Sequence, residues 1–149
     1  WARGQSWAVY GLALCYHYTH EEAILPLFER VTKYFIDHLP EDYVPYWDLI
    51  FSDGSCEPRD TSAAAIAACG ILEMEKYYHN QEFLDIAKKM MSSLSEKYTT
   101  VDYLQSNGII KDGMYSRKHG HKSECTSWGD YFYLEALMRM KKSDWKIYW

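Results

Sequence analysis

The sequence is short of basic residues, poor in the alternation that marks strands, and without a long apolar run. Its 16 lysines and arginines face 21 aspartates and glutamates, for a formal net charge of -5. A domain that grips nucleic acid carries a basic excess, so this balance excludes nucleic acid as a partner and leaves any anionic ligand to a local basic patch. No stretch reaches the roughly 18 uninterrupted apolar residues of a membrane span, and no membrane partner is expected. The four cysteines, Cys15, Cys56, Cys69 and Cys125, form no C-x-x-C pair and lie too far apart for a zinc site or a small disulfide framework. They read as reduced thiols, which makes the cytoplasm the expected location.

What the sequence has in excess is aromatic rings: 14 Tyr, 6 Trp and 5 Phe. Most aromatic residues of a globular protein are core. Sugar-binding clefts use them as well, because the apolar faces of a pyranose stack on an aromatic plane. Composition favours the core and leaves the cleft open. At 149 residues, with 48% of them apolar, residues 1–149 are expected to form a single domain with its own core.

Periodicity predicts helices in buried and amphipathic pairs. Residues 4–18 are apolar around nearly the whole helical circumference, which predicts a helix buried on most sides. Residues 21–39 place Ile24, Leu27, Phe28, Val31, Tyr34, Phe35 and Leu39 at three-and-four spacing between charges, a surface helix with one buried stripe, kinked or restarted at Pro26. The pair recurs: residues 60–74 are Ala-rich and apolar on all faces, and residues 83–98 carry a single stripe. A third buried helix is expected over 126–140. The segments between, 40–59 and 99–125, hold three of the four prolines and read as long loops, which in compact domains tend to be functional. The one strand candidate, "YVPYWDLIF", is demoted by Pro45.

Each buried helix opens on polar and aromatic residues: Arg3, Gln5, Ser6 and Trp7; then Arg59, Asp60, Thr61 and Ser62; then Thr126, Ser127, Trp128 and Asp130. If these helices run parallel, the three clusters meet on one rim. Capping accounts for the Asp, Thr and Ser residues, Asp60 and Asp130 included. It does not account for Trp1, Arg3, Trp7 and Trp128.

The stretches "WARGQSW", "PYWDLIF", "PRDTSAAAIAACGILEM" and "TSWGDYFYLEALMR" resemble, in that order, the C-terminal half of the unsaturated glucuronyl hydrolases, glycoside hydrolase family 88. The resemblance implies an all-α fold, about half of an (α/α)6 barrel of alternating inner and outer helices. It also implies a chemistry: removal of the 4,5-unsaturated uronic acid from lyase-generated glycosaminoglycan oligosaccharides. An aspartic acid protonates C4 of the enol ether and activates water toward C5; the hemiketal then opens and expels the remaining sugar. No metal or organic cofactor is implied. The family's two aspartates precede the W-x-R-G-Q-x-W motif, so no catalytic residue is expected within this chain.

By match to the motif, Trp1 and Trp7 are expected to stack on sugar rings, and Arg3 to supply charge-assisted hydrogen bonds to the uronate. The loop "YSRKHGHKS" adds Tyr115, Ser116 and His119 to the expected substrate-binding set. Its basic residues read equally as a subsite for an anionic second sugar and as a solvated surface loop. Members that favour sulfated substrates resemble S-x-x-S-x-K here. This chain has Ser116, His119 and His121 at that spacing, so unsulfated substrates are expected to be preferred near neutral pH. Half a barrel also leaves inner-helix flanks bare, which predicts self-association or pairing with the missing N-terminal half. A non-catalytic sugar-binding remnant is the competing reading, and an unsaturated rhamnogalacturonyl hydrolase is another.

Overall fold

Three-and-four apolar spacing resolves into five helices in the computed structural model, which describes residues 1–117, 124–142 and 144–147. They are α1 (Ala2–Thr19), α2 (Ile24–Asp37), α3 (Thr61–Met74), α4 (Gln81–Lys97) and α5 (Ser127–Lys141). The described residues contain no strand, only the isolated bridges Tyr46 to Arg59, Thr99 to Ile110 and Gly113 to Glu124. These pin the two long loops, and the single bridge at Tyr46 is all that becomes of the strand candidate.

The helices lie in two layers. α1, α3 and α5 form the inner one, with α3 packed between the other two; α2 backs α1 and α4 backs α3. α3 is at the centre because its side chains are small. All of its residues except Leu72 are buried, and at Gly70 a Cβ would fall 2.7 Å from the Cα and 2.8 Å from the backbone nitrogen of Tyr10 on α1. No residue but glycine lets the two backbones cross so closely. Gly70→Ala is therefore expected to destabilise the fold by about 1–3 kcal/mol, the usual cost of overpacking a rigid contact. Chemical denaturation measures it, and an unchanged midpoint would mean that the helices can separate without loss.

The prediction that α1 is buried on most sides is corrected. Its buried residues, Ala2, Arg3, Ser6, Val9, Tyr10, Ala13 and Tyr16, form one stripe, and Trp7 and Tyr18 are exposed. α5 likewise exposes Tyr131, Leu134 and Met140. The reason is position: α1 and α5 end the row, and among the described residues nothing covers their outer flanks. In α2, Leu27 and Tyr34 of the expected stripe are exposed as well. The expected break at Pro26 does not occur. α2 begins at Ile24, so Pro26 sits in the first turn, where a backbone N–H has no intrahelical acceptor to lose.

A buried polar network ties the inner helices at the end away from the loops. The Tyr10 hydroxyl donates to Glu135 at 2.9 Å and Arg139 Nε donates to Glu135 at 2.8 Å. Arg139 also pairs with Glu73, which His17 Nδ1 meets at 2.9 Å. Burial would raise the Glu73 carboxyl, but Lys76 and Arg139 hold it below its usual value. None of the described helices is long and apolar enough to cross a membrane. All four cysteines are free, Cys69 buried and the others exposed.

Candidate functional site

The three inner helices run parallel, so their N-terminal clusters do meet. Arg3, in the first turn of α1, is only 4% exposed. Its Nη2 donates to the Tyr115 carbonyl at 3.0 Å and its Nη1 to Ser62 Oγ at 3.3 Å, while Nη1 lies 3.5 Å from the Asp60 carboxylate. The guanidinium sits between two indoles, 4.9 Å from the Trp1 ring centre and 5.1 Å from that of Trp128. Trp128 Nε1 donates to the same Ser62 hydroxyl at 3.3 Å. A cation held between aromatic faces is stabilised by the ring quadrupoles and fixed in plane.

Asp60 does stand at the N-cap position of α3, but its carboxylate makes no capping hydrogen bond, and Asp130, contrary to the sequence expectation, does not cap α5. The Asp60 side chain is fully buried; Oδ1 accepts from Ser62 Oγ at 2.5 Å and from the Met114 N–H at 3.4 Å. Burial pushes its carboxyl above the usual range, against the pull of Arg3 and the Ser62 hydroxyl. Asp130 Oδ1 accepts from the N–H groups of Ile109 and Ile110, both at 3.0 Å, and so anchors the loop before it. Thr61 donates to the Lys111 carbonyl at 2.8 Å. Thr126 does cap, accepting from the Gly129 N–H at 3.2 Å.

In front of Arg3 opens a groove of about 480 Å³, lined by Trp1, Trp47, Met114, Tyr115, Ser116 and Arg117. Trp1 and Tyr115 are each 56% exposed at its edge. Glu57 braces the far wall: it accepts from Trp47 Nε1 at 2.8 Å and from Arg117 Nε at 3.2 Å. The Ala2 N–H donates to the Trp47 carbonyl at 3.0 Å, which joins the 40–59 loop to the start of α1.

Of the residues expected in the site, the structure thus brings together Trp1, Arg3, Tyr115 and Ser116. Trp7 stands apart, further along α1, its ring edge-on to Phe132 at 5.1 Å, and it does not line the groove. His119 lies outside the described residues, as do Lys118, His121 and Lys122. Ser62 was expected on the rim, but not as the link between Arg3 and Trp128; Trp47 and Glu57 were not expected. Trp47 lay in a quoted motif between Pro45 and Asp48, and a tryptophan in a loop rather than a helix was the available signal. Among the described residues no three His, Cys, Asp or Glu side chains converge as a metal site would require. A second cavity, about 440 Å³, opens at the C-terminal ends of α3 and α5 beside Lys76, Lys142 and Trp145, and Trp1, Arg3, Trp7, Tyr115 and Ser116 do not line it.

The sequence profile of Glycosyl Hydrolase Family 88 matches residues 1–143. The chain belongs to this family. Among curated members it is 47% identical, over its whole length, to the unsaturated chondroitin disaccharide hydrolase of Streptococcus pneumoniae, and 38% identical over 95% of its length to the unsaturated glucuronyl hydrolase of Bacillus sp. strain GL1. It covers 39% of each. Among solved structures it superposes with a TM-score of 0.94 on an unsaturated glucuronyl hydrolase variant from Streptococcus agalactiae complexed with dGlcA-GalNAc6S, at 44% identity over 100% of this chain and 41% of that one. The five helices are therefore part of an (α/α)6 barrel, and the chain spans about two fifths of the family 88 relatives it matches.

Proposed function

We propose that the family 88 protein carrying this chain removes the 4,5-unsaturated uronic acid from lyase-generated glycosaminoglycan oligosaccharides, and that this chain supplies part of the substrate cleft. The observation that carries the reading is the Trp1, Arg3 and Trp128 stack set behind an aromatic groove. An unsaturated uronate offers an apolar ring face and a carboxylate, and the groove offers stacking surfaces beside a fixed cation. Trp1, Trp47 and Tyr115 stack on sugar; Arg3 draws the carboxylate. Ser116 and His119 meet the second sugar, and Trp7 takes a ring further along α1.

The reaction is hydration of the enol ether. An aspartic acid outside this chain protonates C4 and activates water toward C5, and the hemiketal opens to release the remaining sugar. This chain's residues bind and orient. The bare flanks of α1 and α5 pair with the rest of the barrel, and in the isolated chain with each other. The protein works in the cytoplasm, a location supported by three exposed, unpaired thiols.

Turnover of unsaturated chondroitin disaccharides by the complete protein tests the reading. Arg117, the one arginine lining the groove, already shares its charge with Glu57, and histidine is mostly neutral at pH 7. The unsulfated disaccharide is therefore expected to react faster than the sulfated one at neutral pH. A preference for the sulfated substrate that persists above pH 8 would contradict this, and no loss of enol ether from either would overturn the function.

A further inference from the structure

The two residues that hold the rim together, Asp60 and Ser62, point away from the groove. Asp60 is fully buried at the N-cap position of α3, where its carbonyl accepts from the Ala63 N–H at 3.1 Å but its carboxylate makes no capping hydrogen bond, so capping alone does not explain a carboxylate here. Its Oδ2 has no hydrogen bond, and the cation facing it is Arg3, at 3.5 Å. A buried carboxylate is costly unless a charge answers it, so the pair fixes where the Arg3 guanidinium rests. Ser62 adds a second constraint. Its hydroxyl has one proton and two lone pairs. The proton goes to Asp60 Oδ1, which leaves the lone pairs for Arg3 Nη1 and Trp128 Nε1. Without the acceptor on Asp60 the hydroxyl is free to turn, and one of the two donors loses its partner.

We infer that Asp60 is a positioning residue which, through Ser62, sets the direction of the Arg3 guanidinium and the Trp128 indole, and so governs how tightly the cleft holds an unsaturated uronate that it never touches. The inference rests on the substrate role proposed for Arg3. It separates two functions that a buried aspartate on a glycosidase rim invites one to merge: this carboxylate orients a binding group and transfers no proton to the sugar.

The test uses the complete protein and steady-state kinetics on unsaturated chondroitin disaccharide. Asp60→Asn keeps the shape and removes the charge; KM is expected to rise about tenfold with kcat within about twofold, the pattern of lost uniform binding. In an Arg3→Ala background the same substitution is expected to change KM by less than about twofold, because its route of action is gone. A folded Asp60→Asn enzyme with unchanged KM, or a full tenfold effect persisting without Arg3, overturns the inference while leaving the function standing. If Arg3→Ala itself leaves KM unchanged, the substrate role of Arg3 falls, and the inference with it. Should Asp60→Asn fail to fold, Ser62→Ala carries the same expectation of raised KM at constant kcat, and an unchanged KM there overturns the proposal.

Discussion

Incubated alone with an unsaturated chondroitin disaccharide, this chain is expected to leave the ultraviolet absorbance of the conjugated enol ether unchanged. Proton transfer to carbon needs a carboxyl group within hydrogen-bond reach of the substrate, directly or through one water. Among the described residues the carboxylates about the rim are otherwise engaged: Asp48 pairs with the Trp1 amino group. Asp60 is sealed behind Arg3 and Ser62, Asp130 holds two backbone amides, and Glu57 braces Trp47 and Arg117. The remaining groups stack and pair charge, which holds a sugar but does not protonate it. Sedimentation of the same sample is expected to show association, since Trp7, Tyr131, Leu134 and Met140 leave apolar surface uncovered. Loss of absorbance at the rate of the complete protein would make a carboxylate of this chain the acid.

The second large effect is expected from Arg3→Ala in the complete protein. A buried charge-assisted hydrogen bond is worth about 1.5–3 kcal/mol, which corresponds to a fall in kcat/KM of roughly 10- to 150-fold. The loss should appear chiefly in KM. Lys118→Ala is the comparison: a solvated charge contributes well under about 1 kcal/mol, and less than about fivefold is expected from this substitution. Arg3→Lys should resemble the alanine variant more than the parent, because a lysine keeps the charge but cannot fill the slot between two indoles with a planar group. Equal effects at positions 3 and 118 would remove Arg3 from the cleft.

Helix order and layer were readable because period and composition change together: alanines mark α3 as central, and alternating charge marks α2 and α4 as outer. What sequence reading missed followed from neighbours it could not place. α1 looked buried because it is apolar all round, yet a helix at the end of a row shows one flank bare. Asp60 and Asp130 looked like caps because the residue type and position suit a cap; besides Ser62 beside it, Asp60 binds Met114, 54 positions away, and Asp130 binds Ile109 and Ile110, about 20 positions away. Trp1, Arg3, Tyr115 and Ser116 were legible through a motif, and Trp47 and Glu57 were not, since a brace between two loops leaves no spacing to read.

The span of the contacts bears on how the chain is made. Arg3 reaches a carbonyl 112 positions later, and Tyr10 a carboxylate 125 positions later. At synthesis rates of about 5–20 residues per second, α1 leaves the ribosome on the order of ten seconds before its last partner exists. Contacts so distant in sequence close late and slowly. The contacts that tie α1 to α5 thus close late, when α5 docks and brings Trp128 to Arg3 and Glu135 to Tyr10.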